Sequence, residues 1–334
     1  GDPTTAFDDA RGLPSSVRAG LNAGLSGIPF WGSDISGYTC LFVQPADKEV
    51  YLRWTEFGAF SPDMHDENAC EGAAEGAPPK WTLWSDAETT EVYGRYARLH
   101  TRLVPYIHAA AREAERTGMP ILRHPILTHP REPEAWAVQY EYGFGPALYV
   151  APVVRRAERA RNFWLPPGQW IDWWTLAATD GARRVTRDAP LDLIPLYQRV
   201  GTLVPLLDPR VETLVADRRA DVTSAAEVAD VMDVRGAVRA PDLCSPAALT
   251  DGTSFDMRAF GRHVSLPQGY TLAATEAELS TCVRCGRIDT LTTGGTRVRL
   301  STESAPTVTV RAGGLIVTHR ARRPMRVRWD VVVL

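Results

Sequence analysis

A chain of 334 residues exceeds one ordinary domain and has room for two or three. Its 44% hydrophobic and 23% charged residues suffice for packed cores, which excludes a disordered tail, and a net charge of -3 leaves no basic stripe for tracking phosphates, which excludes a nucleic-acid partner. No apolar run approaches the length of a bilayer span, so no membrane partner is expected.

In chain order, Leu13, Val17, Leu21 and Leu25 recur at helical spacing and predict a helix over 12–25. It leads into Gly27-Ile28-Pro29-Phe30-Trp31-Gly32-Ser33-Asp34-Ile35-Ser36-Gly37-Tyr38, whose apolar start reads as a buried strand delivering Trp31 and Asp34 at its carboxyl end. Parallel α/β sheets and barrels place ligands there, although an Asp capping a turn after a core strand fits the same pattern. A second helix is expected over 50–57, then a loop over 61–79, too polar for a core. The long stripe Val92, Tyr96, Leu99, Leu103 and Ile107 predicts a helix over about 86–117, with Ser85 or Asp86 as N-cap, Gly118 at its end, and Pro105 kinking or splitting it. Residues 119–123 read as a short buried strand. This alternation is the cadence of a (β/α) barrel.

Beyond residue 142, "ALYVAPVV", "NFWLPPGQWIDWW" and "LIPLYQRVGTLVPLL" are short strands broken by Pro and Gly turns, the pattern of a β-sandwich. From Asp208 on, "VETLVA", "RHVSLP", "YTLAAT", "TRVRLS", "TVTVRAGGLIVTHRA" and "MRVRWDVVVL" predict a second sandwich, with 209–246 loosely patterned. Cys282-Val283-Arg284-Cys285 has zinc-knuckle spacing but lacks the second ligand pair that a structural zinc needs, so no metal and no cofactor are expected. Cys40 and Cys70 flank the Asp34 stretch and are read either as a disulfide or as buried thiols.

"GIPFWGSDISGY" and "RWTEFGAFSPDM" (53–64), followed in order by segments at 95–126, 145–154, 164–175 and 248–256, resemble glycoside hydrolase family 31, the family of α-glucosidases, α-xylosidases and sulfoquinovosidases. The resemblance implies an α/β plus all-β chain: the C-terminal portion of a (β/α)8 TIM barrel over 1–141, with Phe30 on the seventh strand and Ile121 on the eighth. A proximal β-sandwich over 142–208 and a distal one over 209–334 would follow. On that basis the chain starts in the middle of a domain, and nothing in it bears on localisation or oligomeric state.

The resemblance also implies a retaining mechanism and a carbohydrate substrate, with an Asp nucleophile upstream and therefore missing from this chain. The family acid/base belongs to a Gly-Asp-Asn or Gly-Asp-Gln motif. Gly1-Asp2-Pro3 stands at close to the matching spacing before Gly12-Leu13 and Ser26-Gly27, which makes Asp2 the candidate, with Asp8 and Asp9 as alternatives. Asp34 is similar to the Asp that shapes the sugar pocket, and Tyr38 to an aromatic packing beside the ring. Trp31 stays open between pocket wall and core, whereas Arg53 and Trp54 match a packing helix. Where the family has Arg-x-His contacting sugar hydroxyls, this chain has His65 and Glu67, and the readings are a carboxylate at 67 or a slipped His65 in that role, or a solvated acidic loop with no sugar contact. A carbohydrate-binding module built on Trp170, Trp173 and Trp174, a transglycosylase, and a parent acting on an anionic sugar such as sulfoquinovose are the competing functions.

Overall fold

The computed structural model describes residues 2–215 and 219–228, and beyond them the strands at 231–238, 247–248, 265–266, 270–271, 275–281, 296–302, 307–312, 315–321 and 326–333. Cys244, the Cys282–Cys285 pair and most of the 248–256 segment lie outside the described residues. The chain divides into two compact units, one comprising Gly1–His100, Glu113–Pro167 and Gly181–Leu196, the other Thr101–Arg112, Gly168–Asp180 and Tyr197–Leu334.

In the first unit, helix α1 (Leu13–Leu25) opens with Pro14 in its first turn, where a missing N–H costs nothing, and buries Leu13, Val17 and Leu21. Gly24 lets it approach the strand β3 (Leu122–Arg123), since a Cβ there would stand 2.9 Å from the Leu122 carbonyl oxygen. The apolar run after α1 is not the strand: Ile28 and Phe30 are 54% and 51% exposed, and pairing begins only at β1 (Gly32–Ile35). Backbone partnership, not hydrophobicity, sets that start, because Pro29 has no N–H to give and offers only its carbonyl, which accepts from Ile121 N at 3.3 Å. Helix α2 (Lys48–Ala59) is longer than its apolar stripe because Asp47 caps it, accepting from Val50 N at 3.1 Å. The chain then returns as β2 (Asp63–Asp66), parallel to β1, with Asp34 paired to His65. Strand, helix and parallel strand form one βαβ unit.

Helix α3 (Ala87–Thr117) is capped by Asp86, which accepts from Thr89 N at 2.7 Å, and ends on Gly118 at φ 77. It passes Pro105 as one helix and is not split. The core joins α2 to α3 and to β4 (Tyr142–Phe144) through aromatic edges: Phe60 lies 6.3 Å from Tyr96 and 6.1 Å from Phe144, and Phe57 lies 6.2 Å from Tyr142. β4 pairs antiparallel with β3 on one side and β5 (Leu148–Val150) on the other. A two-stranded ribbon of β6 (Ala160–Leu165) and an unforeseen polar strand at Arg183–Asp188 completes this unit.

The fully buried Arg53 binds Glu56 at 3.0 Å and donates from its terminal nitrogens to the carbonyls of Glu158, Ala189, Pro190 and Leu193. Helix α2 is thus pinned to two neighbouring loops by one guanidinium, the packing role expected of it. Burial pushes Glu56 up to about 8, against the pull of Arg53.

The second unit is rich in sheet. Gln169–Asp172 pairs antiparallel with Ala178–Asp180 and with Tyr197–Arg199. Thr202–Leu207, Val231–Val238, Arg326–Val333 and Thr296–Thr302 follow one another in a four-stranded sheet whose middle pair is parallel. Another sheet orders Ala247–Ala248, Thr275–Thr281, Leu315–Ala321 and Thr307–Ala312. Residues 211–216 were expected as a strand, yet the described ones form only a bridge from Thr213 to Ser224, whereas the loosely patterned 209–246 segment contains the long strand at 231–238. Trp170 and Trp173 are buried, the latter under Arg235 at 3.7 Å, so they present no stacking platform.

Candidate functional site

β1, through Gly32, Ser33 and Asp34, and β2, through His65, border a cavity of about 980 Å³. Asp2, Trp31, Asp34 and His65 all line it. Parallel register places Asp34 beside His65, and the His65 Nε2 lies 2.9 Å from Asp34 Oδ1. On the other side of the ring Asp63 Oδ2 is 3.1 Å from Nδ1, an ion-pair contact without hydrogen-bond alignment, so Nδ1 is buried and unsatisfied. Ser33, on the same strand, accepts from the Trp54 indole N–H at 2.9 Å, which ties the cavity floor to α2.

The other expected residues lie elsewhere. Tyr38 is half-buried but absent from the cavity lining, and its backbone N–H donates to Pro3 O at 2.9 Å. Glu67 is exposed and outside the cavity; its carbonyl, not its carboxylate, is engaged. Of the alternatives to Asp2, Asp8 is committed to its own turn. Burial alone would raise its carboxyl, yet hydrogen bonds from the Thr4 hydroxyl and the N–H groups of Arg11 and Ala10 hold it below the usual range. Asp9 is exposed and pairs with Arg18 at 3.2 Å.

Several lining residues carried no signal in the sequence. Thr39, Leu41, Glu71 and Gly72 form one wall, closed by a disulfide between Cys40 and Cys70. Of the two readings of these cysteines, the structure shows the disulfide. Cys40 N donates to Glu71 O at 2.8 Å, and Gly37 takes φ 77 so close to Thr4 O that a Cβ would stand 2.6 Å away. Lys80 is buried behind this wall and donates to the carbonyls of Gly37, Glu67 and Ala69. Burial lowers its ammonium pKa, against the pull of Asp66, Asp34 and Glu67. Arg11 also lines the cavity and has no side-chain partner among the described residues. Among the described residues no cluster of His, Cys, Asp and Glu has the arrangement to hold a metal, and no helix is long and apolar enough to cross a membrane.

Carboxylates, an imidazole, hydroxyls and an indole face around an open cleft supply hydrogen-bond donors, acceptors and one apolar wall. The chain belongs to glycoside hydrolase family 31: residues 1–110 match the family's TIM-barrel domain and residues 118–204 its C-terminal domain. It is similar to the isomaltosyltransferase of Sporosarcina globispora, 32% identical over 212 residues, covering 62% of this chain and 19% of that protein. It is also similar to the sulfoquinovosidase of Agrobacterium fabrum, 34% identical over 202 residues, covering 60% of this chain and 29% of that one. Among solved structures, a family 31 sulfoquinovosidase from E. rectale in complex with an aza-sugar inhibitor superposes with TM-score 0.55 at 30% identity, over 60% of this chain and 29% of that chain. The chain therefore spans less than a third of the length of these relatives.

Proposed function

We propose that the chain is the C-terminal part of a retaining α-glycosidase that hydrolyses α-glucoside- or α-xyloside-like substrates. The observation that carries this reading is that Asp2, Asp34, His65 and Trp31 line one cavity in a family 31 chain. A retaining glycosidase needs two carboxyl groups about 5 to 5.5 Å apart, one acting on the leaving oxygen and one forming the glycosyl–enzyme bond. Asp2 takes the first role, protonating the departing oxygen and later drawing a proton from the attacking water. Asp34 and His65 bind sugar hydroxyls, the carboxylate as acceptor and the imidazole as donor or acceptor, and Trp31 gives an apolar face to the ring. The nucleophile comes from a segment outside this sequence, so the chain alone is inactive. Residues 1–141 then form the end of the barrel, 142–208 a proximal sandwich and 209–334 a distal one; the C-terminal-domain match ends near the second boundary, at residue 204, but begins at 118, and β3 pairs antiparallel with β4, which favours a first boundary near 118.

The test joins the chain to its upstream sequence and measures turnover of an aryl α-glucoside. Asp2→Ala is expected to lower kcat by about 10² to 10⁴. Unchanged turnover would remove Asp2 from the mechanism.

A second reading, a parent acting on an anionic sugar such as sulfoquinovose, is favoured by one feature: Arg11 faces the cavity unpaired while Glu67 stands outside it. A guanidinium recognises sulfonate or carboxylate by paired N–H groups. The joined enzyme would then prefer an aryl α-sulfoquinovoside, and Arg11→Met would abolish that preference without harming glucoside turnover.

A further inference from the structure

A second cavity, of about 320 Å³, lies beside the first, and His65 lines both. Its other walls include Met64, Asp66, Asn68, Thr82, Trp84 and Tyr93. Trp84 is 78% exposed, and its indole N–H has no partner among the described residues. Other large apolar side chains are exposed as well, but Trp84 forms part of a cavity wall, where its ring face is open to a ligand. The ring does not ride on a loose loop. Trp84 N donates to Thr82 Oγ1 at 3.3 Å, Thr82 N donates to Ser85 Oγ at 2.9 Å, and Thr90 Oγ1 donates to Leu83 O at 2.6 Å. The turn also leads directly into the Asp86 cap of α3.

We infer that this second cavity is a carbohydrate subsite that takes an uncharged sugar unit with its C–H face on Trp84. The inference rests on the reading of the first cavity as a sugar site, and it adds a separate contact to that reading. The Asn68 side chain, without a partner among the described residues, has both donors and an acceptor for hydroxyls, and the Thr82 hydroxyl adds another such group. An anionic sugar does not fit. The nearby cation Lys80 spends its protons on the carbonyls of Gly37, Glu67 and Ala69, and Asp66 contributes a carboxyl whose pKa burial raises even though the Tyr51 hydroxyl donates to it. This lining holds no Lys or Arg, and its one imidazole, His65, already faces Asp34 at 2.9 Å and Asp63 at 3.1 Å, whereas hydroxyls find partners of both kinds.

The experiment labels the ten tryptophans of the whole chain with ¹⁵N and follows their indole N–H resonances during titration. The Trp84 signal is assigned by its loss in Trp84→Ala. Maltotriose is the neutral probe and trigalacturonate the anionic one. The expected result is a saturable shift of the Trp84 resonance with maltotriose, retained in Asp34→Ala, and at least fivefold weaker response to trigalacturonate. Trp136, also exposed, should stay still. A Trp84 resonance that does not move, or that moves only while Asp34 is intact, overturns the subsite. Shifts elsewhere that vanish in Asp34→Ala, with Trp84 fixed, would uphold the first cavity and reject the second. A Trp84 shift that follows protein concentration without sugar would assign the surface to a second copy of the chain and likewise reject it.

Discussion

Arg53–Glu56 and His65–Asp34 are hydrogen-bonded pairs of titratable side chains on the same β1–α2–β2 unit, and they differ in what surrounds them. The first is 0% exposed at both side chains, and the two terminal nitrogens of its guanidinium donate to four carbonyls, with only Nε left unpaired. The second stands at a cavity, with His65 38% exposed and one ring nitrogen lacking an aligned partner. Charges whose hydrogen bonds are spent inside the protein hold it together, while charges with capacity left over, facing space, are available to a ligand. If this contrast is right, substitutions at the two pairs should separate stability from sugar binding.

The largest effect is expected from Arg53→Met. It strands Glu56 and leaves four carbonyls without their donor, a loss of about 3 to 5 kcal/mol, read as a lowered midpoint in urea unfolding. A midpoint within error of wild type would show that the pair is dispensable. The same pair gives a pH signature. Because the folded value of Glu56, about 8, lies above its ordinary one, the folded state holds the extra proton. This contribution to stability is present below the ordinary carboxylate range and is lost as pH rises through about 8. In Glu56→Gln the slope over that interval should flatten, and an unchanged slope would place its origin elsewhere.

The two pairs also differ in how they could be read from the sequence. The helical stripes of α1 and α3 were plain, as were the end at Gly118 and a cap at Ser85 or Asp86, of which Asp86 serves, because these signals are local. Strand β2, Asp-Met-His-Asp, has no alternation to detect, since it is placed by pairing with a strand 31 residues earlier. That same register brings His65 to Asp34, so both residues were legible by resemblance but their contact was not. Lys80 illustrates the general difficulty: its acceptors are three backbone carbonyls, which leave no trace in residue identity. The apolar run at Ile28 and Phe30 misled for the opposite reason, being hydrophobic and exposed.

On the cavity side the strongest expected effect is reduction of Cys40–Cys70. The cross-link closes a loop with a sequence separation of 30, for which chain entropy gives about 3.6 kcal/mol. Dithiothreitol should lower the melting temperature and also weaken maltotriose binding, because Leu41 and Gly72 lie on the wall it joins. A fall in stability with unaltered binding would make the disulfide a structural link like Arg53 and blur the comparison.

Trp54 connects the two regions, since it sits one residue after Arg53 and donates to Ser33 in the cavity floor. A double-mutant cycle of Trp54→Phe and Ser33→Ala should give a coupling of about 1 kcal/mol in unfolding free energy. Coupling near zero would detach the helix from the cavity floor.

The smallest effect is expected at Glu67, and it is the sharpest check because resemblance points to that position and geometry points away from it. Its carbonyl receives the Lys80 hydrogen bond whatever the side chain, and its carboxylate is exposed outside the cavity. Glu67→Gln should therefore shift stability by no more than about 0.5 kcal/mol and leave the maltotriose affinity of the chain within twofold. His65→Asn, which removes the ring between Asp34 and Asp63, should weaken that affinity clearly. A Glu67→Gln variant that loses affinity while His65→Asn retains it would mean that the sugar is read from the loop, and that the unsatisfied imidazole is a by-product of strand pairing.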